Sequence, residues 1–472
     1  MSKLPILVEV NQSISEAFSV FEAATTASEA VQQSEQFLAD LAGFGIELTG
    51  EYAPIALFAE TEVQRFSTFA TSEVSPDSTA SSVVINCEID RSRLADLESR
   101  TDIKVWPNSK MEAFGIDQPC HCGSNTFDRS AVANIDTSSF HPFDLAQTAS
   151  NQVDCRPFRS AATIDVIRQL LAVERIWQDG FRGQNIVIAI VDDGINNFYP
   201  VIGGHERPSG PMPGTASIQS HGSMCAADVL VAAPFAKILD YPFLAGPNAG
   251  DSGVAIQMFQ AILDQRRLNG TPHLTSNSYG FAGLPPRDQF PNHEAYDPNH
   301  PLNRKVREVI ASGAACFFAA GNCGQDCPSG NCRSSAIGPN KSISAANSLP
   351  ETITVAAVNS LNQRIGYSAQ GPGTLFSQKP DLSAYSHFFG NFGPGRPAGG
   401  TVDDFDSGTS AACPVAAGVG ALLLSAFPGL NPDKLRQVLT ETAVNLGQIG
   451  WDADTGWGVL NAGVAYVRLQ GR

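Results

Sequence analysis

The chain is short of positive charge. Its 472 residues carry 30 Lys and Arg against 47 Asp and Glu, a net charge of −17. A surface of that sign repels phosphate backbones, so nucleic acid is not expected as a partner. No uninterrupted apolar run reaches the length of a membrane-spanning helix, so no membrane partner is expected either. Ten cysteines are too sparse for a disulfide scaffold. The opening Met1–Val10 is interrupted by Pro5 and Glu9, and no small-residue cleavage site follows an apolar core. Together these absences predict reduced thiols and a cytoplasmic protein. There is no repeat of fixed period, which excludes a solenoid.

What is present suits a globular protein: 43% apolar and 16% charged residues, long enough for two or three domains. The acidity is uneven. Residues 1–150 hold 22 acidic and 8 basic side chains, −14 of the −17. Residues 1–115 read as a small α+β unit. Helical spacing covers 28–44, strands are predicted at 54–59 and 83–89, a helix at 90–100 and an edge strand at 103–107. Residues 116–160 are rich in Ser, Asn, Asp and Ala without apolar periodicity, and read as a linker open to cutting.

From 161 to 472 the pattern alternates. A helix is predicted across 163–176. β-Branched or apolar runs at 186–191, 236–241, 273–278, 315–319 and 352–356 are separated by helical stretches at 221–231, 252–267 and 302–312. Such alternation predicts a doubly wound α/β domain with a mainly parallel sheet. Its active site belongs at the carboxyl ends of the strands.

Four polar residues fall at such ends. Asp192 follows the run 186–191, His221 opens a small-residue helix, and Asn322 follows 315–319. Ser410 opens the helix in Ser407–Gly418. That stretch reads either as a capped buried helix or as a nucleophile set among unpaired N–H groups. Pro414 is expected to fall where the first turn needs no N–H. A histidine can take the proton of a serine hydroxyl, an aspartate can hold the histidine's tautomer, and an amide can donate to an oxyanion.

The order Asp, His, Ser is that of subtilisin, and the local motifs resemble subtilisin-like serine proteases (subtilases). Ile190–Ile195 resembles the aspartate motif, His221–Ala226 the histidine motif, Ala319-Ala320-Gly321-Asn322 the oxyanion motif and Gly408–Pro414 the serine motif. Asn277–Gly280, Lys379–Leu382 and Asp454–Ala462 extend the resemblance over roughly residues 160–470. It implies a serine endopeptidase of subtilisin fold. Ser410 would be its nucleophile, His221 its base and Asp192 the orienting anion, with Asn322 and the Ser410 N–H as oxyanion hole. Ser278, Tyr279 and Gly280 would pair with an extended peptide or protein substrate, beside Ala319, Ala320 and Gly321. No cofactor is needed for such chemistry.

The resemblance also implies that residues 1–115 are propeptide-like, inhibiting the site until a cut somewhere in 112–160. Cys323, Cys327 and Cys332 depart from the usual family pattern; they and Cys120/Cys122 are read as unpaired or locally bridged, or as thiolate metal ligands. Asp403, Asp404 and Asp406 offer either a structural calcium site or a solvated loop. Asp326 lies near the expected pocket and would favour a basic residue before the cut. The rival readings are an inactive subtilase-fold binding protein and an acid-active sedolisin-type peptidase.

Overall fold

The computed structural model describes residues 3–11, 41–48, 54–57, 82–114, 153–155, 162–207, 210–390 and 405–471. The N-terminal unit is an antiparallel sheet. Its strands are β1 (Lys3–Asn11), β2 (Ile46–Leu48), β3 (Ile55–Leu57), β4 (Ser82–Asp90) and β5 (Ile103–Pro107), ordered β2-β4-β1-β5 with β3 also on β4. Helix α1 (Leu94–Glu98) lies between β4 and β5. Strand β1, where no element was expected, takes the sheet's centre. Its apolar Ile6, Leu7, Val8 and Val10 supply both faces and are all buried. Cys87, Ile89, Leu97 and Leu41 close the core on the helix side. Of the predicted helix 28–44 only 41–44 is described; 41–43 is helical and 44 lies in a turn.

The other face of this sheet sits on the large domain. Glu9 accepts from Trp106 Nε1 at 2.7 Å and from Ser82 within its own unit, and pairs across the boundary with Arg304. The buried Lys305 Nζ donates to Ala56 O at 2.7 Å. After β5 the chain continues as a two-residue strand, β6 (Glu112–Ala113).

Among the described residues, the main sheet of the large domain has seven parallel strands. They are β7 (Val187–Asp192), β8 (Val201–Gly204), β9 (Lys237–Pro242), β10 (Leu274–Asn277), β12 (Ala315–Ala319), β13 (Ile353–Val358) and β14 (Leu382–Tyr385). A short strand outside this sheet, β11 (Tyr279–Gly280), pairs with β6. The sheet order is β14-β13-β12-β10-β7-β9-β8, so the chain reverses its direction of travel between β7 and β10. The predicted doubly wound α/β architecture is therefore the observed one, and the predicted strands each fall within two residues of an observed strand's ends.

Helices α3 (His221–Ala232), α4 (Ser252–Asn269), α5 (Pro301–Ala311) and α6 (Thr409–Ala426) cover the sheet. The helix predicted over 163–176 is two: α2 (Ile164–Leu171) stops at Ala172, whose φ of 56° is left-handed, and a five-residue turn of helix follows at Glu174–Gln178. Helix α6 is long and apolar enough to cross a membrane, yet 89% of that window is buried inside the protein. Its small side chains let it run through the core against α3 and strands β10, β12, β13 and β14.

Pro414 is the sixth residue of α6 and falls beyond its first turn, not within it. A proline there removes the N–H that would have met the carbonyl of Ser410. That carbonyl instead accepts from Ser278 Oγ at 3.2 Å and faces Cys225 Sγ at 3.6 Å. The helix continues because side chains replace the missing donor.

Candidate active site

The ends of β7 and β12 and the starts of α3 and α6 converge. Asp192, 1% exposed, ends β7, and its Oδ1 accepts from His221 Nδ1 at 2.7 Å. That bond leaves His221 Nε2 as the ring's other functional nitrogen. Asp192 Oδ2 faces Cys225 Sγ at 3.6 Å. Ser220 caps α3 through Ser223 N at 3.1 Å. Asp193 holds the same helix start: its carboxylate accepts from His221 N at 3.1 Å and Gly222 N at 2.7 Å. Burial, and then the charge of Asp192, push the Asp193 carboxyl up to about 6. Burial does the same to Asp240, which accepts from Ile195 N and Gly214 N at 3.0 Å each.

Ser410 is fully buried as the second residue of α6, and its Oγ has no hydrogen-bond partner among the described residues. Gly408 precedes it at φ 79°. A Cβ on Gly408 would lie 2.7 Å from Phe114 O and 2.8 Å from Asn322 Nδ2, so both the turn and the close approach require glycine. Asn322 Oδ1 accepts from Thr409 N and Thr409 Oγ1, at 2.9 Å each. This fixes the amide so that Nδ2 points at Phe114, and it donates to the Phe114 carbonyl.

Residues 109–114 thus lie in the site as an extended strand. Tyr279 pairs with Ala113 and Gly280 with Glu112, antiparallel, and Phe114 N donates to Ser278 O at 3.0 Å. On the opposite side Met111 N donates to Gly250 O at 2.8 Å and Ser252 N to Ser109 O at 2.9 Å. The Phe114 ring lies over Gly280, where an added Cβ would come within 2.3 Å of its Cζ. Met111 is 2% exposed in the cluster that includes Tyr241, Phe243 and Tyr279. A cleft of about 530 Å³ runs beside the strand, lined by Ser109, Lys110, Glu112, Phe281, His293 and Arg333 among others.

The structure brings Asp192, His221, Asn322, Ser278, Tyr279, Gly280 and Gly321 to the surroundings of Ser410 and Phe114. Tyr279 takes part through its backbone; its hydroxyl is buried on Asn277 Oδ1 at 3.2 Å. Ala319 and Ala320 are buried behind the groove, and Ala320 packs on Ile343, Ala356 and Ala369. Sequence reasoning missed Met111, Phe114 and Thr409. Thr409 stood inside the serine motif. Only the apolar spacing of Met111 and Phe114 just before the linker marked the other two.

The cysteines also differ from expectation. Cys323 bridges Cys332 across 9 residues, and Cys327 bridges Cys155 across 172, with Cα separations of 5.6 and 6.0 Å. The first bridge is local, one of the pairings the sequence allows; the second ties residues 153–155 of the predicted linker to the loop after Asn322. Asp154 is further held by Arg364 O and by Asn359. Asp326 does not offer a charge to the pocket, because it pairs with Arg364. Cys120, Cys122, Asp403 and Asp404 lie outside the described residues. Cys225 and Cys413 are buried free thiols held well above the ordinary range by burial, Cys413 at about 12, and are therefore not thiolates. Among the described residues, Asp192, His221 and Cys225 form the one group of three or more such residues whose ligand atoms lie within 4.8 Å of one another, and those atoms already contact each other.

Comparison with known proteins bears on this site. The family model described as the subtilase family matches residues 183–458. Fervidolysin of Fervidobacterium pennivorans is 28% identical over 333 residues, 63% of this chain but 42% of fervidolysin. Subtilisin DY of Bacillus licheniformis is 26% identical over 61% of this chain and 94% of its own length. The halolysin-like extracellular serine protease Nep of Natrialba magadii is 37% identical over 124 residues, 24% of this chain and 23% of Nep. The crystal structure of fervidolysin, a keratinolytic enzyme related to subtilisin, superposes with a TM-score of 0.54 at 19% identity, covering 89% of this chain and 62% of that one. The cytoplasmic expectation is overturned by these relatives, one of them named as extracellular, and the two disulfides agree with that correction. The opening residues on which it rested are strand β1 of a folded sheet and carry no information about compartment.

Proposed function

The chain belongs to the subtilase family, and from that premise we propose that it is an extracellular serine endopeptidase made as a self-inhibited precursor. Ser410 is the nucleophile, His221 the general base and acid, and Asp192 the anion that orients and stabilises the imidazolium. The Ser410 Oγ attacks a peptide carbonyl while His221 Nε2 takes its proton. The oxyanion is met by Asn322 Nδ2 and the Ser410 backbone N–H. Collapse expels the amine, which receives the proton from His221, and leaves an acyl-enzyme on Ser410. Water, deprotonated by His221, then releases the acid.

One observation carries the reading: a carbonyl of the chain itself, that of Phe114, already accepts from Asn322 at the start of the Ser410 helix. The strand that delivers it is paired as a substrate would be, by strand addition. We therefore place the first cut at the Phe114–Gly115 bond. Phe114 fills the pocket before the bond and Met111 a second apolar pocket, so substrates with a large apolar residue before the cut are favoured. The N-terminal unit blocks the site for as long as it stays docked.

Ser410 Oγ has no partner among the described residues, and catalytic hydrogen bonds of this kind tighten in the reacting complex. The Asp192–His221 bond speaks against the sedolisin-type reading, which needs carboxylates where His221 stands. A fluorophosphonate probe separates enzyme from inactive scaffold. The processed protein is expected to be labelled and Ser410→Ala not; equal labelling, or none in either, defeats the proposal.

A further inference from the structure

The chain before Phe114 is gripped farther back than its pairing with β11 requires. Ser109, six residues before the proposed cut counting Phe114 as the first, places its hydroxyl between two buried groups of the large domain. Ser109 Oγ lies 3.0 Å from His293 Nε2 and donates to Glu294 Oε2 at 3.0 Å. Glu294 is 0% and His293 5% exposed.

The hydrogens can be assigned from the neighbours. His293 Nδ1 accepts from Ala295 N at 3.0 Å, so the neutral ring carries its hydrogen on Nε2 and donates to Ser109 Oγ. The Ser109 hydroxyl then gives its own hydrogen to Glu294. The other carboxylate oxygen, Oε1, accepts from Ser252 Oγ. The charged and titratable groups near Glu294 are His293 at 3.4 Å and His300 at 3.8 Å. His300 is occupied in turn, its Nε2 donating to Pro107 O at 3.0 Å. None of these residues is needed for the proposed chemistry.

We propose that His293, Glu294 and Ser252 form a subsite for a hydroxyl side chain six residues before the scissile bond, used on substrates as well as on the chain's own Ser109. The proposal rests on the reading that Phe114 precedes the cut. A hydroxyl is the group that suits this place, because it accepts from His293 and donates to Glu294 at once. An alanine there leaves a buried N–H and a buried carboxylate oxygen unpaired, which a hydrogen-bonding site penalises strongly. An aspartate meets the Glu294 carboxylate head on. The backbone grip around the subsite is independent of side chain: Ser109 O accepts from Ser252 N at 2.9 Å, and Lys110 bridges Asp251. The side chain at this place is therefore read separately from the strand that carries it.

The test uses the full chain after its own processing and three internally quenched peptides. Each spans Asn108 to Asp117; one is native, one carries Ser109→Ala and one Ser109→Asp. The native peptide is expected to be cut between Phe and Gly with kcat/KM at least about tenfold above the Ala peptide, and the Asp peptide is expected to be poorest. In Glu294→Ala enzyme the preference for serine should vanish while the cut stays at the same bond. Equal rates for the serine and alanine peptides on the natural enzyme overturn the subsite, whether or not the variant folds. Cleavage at another bond, or of no peptide, overturns the register itself and the subsite counted from it; labelling of Ser410 by the fluorophosphonate separates that result from loss of the enzyme.

Discussion

The side-chain amide of Asn322 donates to the backbone carbonyl of Phe114, and the same amide's oxygen is held by Thr409. One residue of the large domain therefore joins the serine helix to the end of the N-terminal unit. Asn322→Ala should lower kcat by about 10²–10³ with little change in KM, because the donor acts on charge that develops only in the transition state. Steady-state kinetics on a peptide with Phe before the cut checks this. A change confined to KM would contradict it.

Thr409 is predicted to act through Asn322. Thr409→Val keeps the shape but removes the hydroxyl that bonds Asn322 Oδ1 and accepts from Gly321 N at 3.0 Å. The expected result is a drop in kcat smaller than that of Asn322→Ala, and no further drop when the two changes are combined. Full additivity in the double variant would show that Thr409 works elsewhere.

Gly280 sets the room for the Phe114 ring, which the proposed register puts directly before the cut. Gly280→Val should abolish cleavage after Phe and leave smaller residues as the better substrates, since its side chain occupies the space of the Phe114 ring. A peptide library with the residue before the cut varied reads this directly. Retained preference for Phe would place the ring somewhere else.

Asp193 should shape the acid limb of the rate profile. Its carboxyl, raised to about 6, is charged at neutral pH and favours the imidazolium of His221 beside it. Asp193→Asn removes that charge, so the apparent pKa of the kcat/KM acid limb should move down, by a few tenths to about one unit. For stability the sign is the reverse of a paired carboxylate. With the folded pKa above the unfolded value of 3.8, the folded state binds more protons across pH 4–6, and this group's contribution declines as pH rises through that window.

The buried charge cluster under β13 and β14 should govern stability rather than rate. Asp381 accepts from Lys379 Nζ at 2.5 Å, Arg436 Nε at 2.7 Å and Thr354 N at 2.7 Å, and both Lys379 and Asp381 are essentially inaccessible. Asp381→Ala strands a buried ammonium and should cost about 3–5 kcal/mol of unfolding free energy. Denaturant unfolding of the Ser410→Ala form, which cannot digest itself, measures it.

The fold was legible in the chain because parallel strands buried on both faces are written as apolar runs, and the candidate site residues stand at their ends. Ile186–Val191 and Ala315–Ala319 announced Asp192 and Asn322 in this way. Strand β1 was not legible, since its Pro5 and Glu9 break the apolar pattern; Glu9 is accommodated by partners, Trp106, Ser82 and Arg304, that no local pattern shows. The partners of Cys155 and of Asp326 were hidden for the same reason. Each is set by contacts far away in sequence, and Asp326 in particular was expected to serve the substrate but is neutralised by Arg364. The seat of Phe114 is likewise a tertiary fact: nothing in Met111–Phe114 alone says that its last carbonyl meets Asn322.

The most direct test is the N-terminus of the large fragment. The natural protein and Ser410→Ala are expressed side by side, and each is read by intact mass and N-terminal sequencing. The expected result is a fragment beginning at Gly115 from the natural protein and an uncut chain of 49.9 kDa from Ser410→Ala. An uncut natural chain, a first cut at another bond, or the same cut in Ser410→Ala would contradict it.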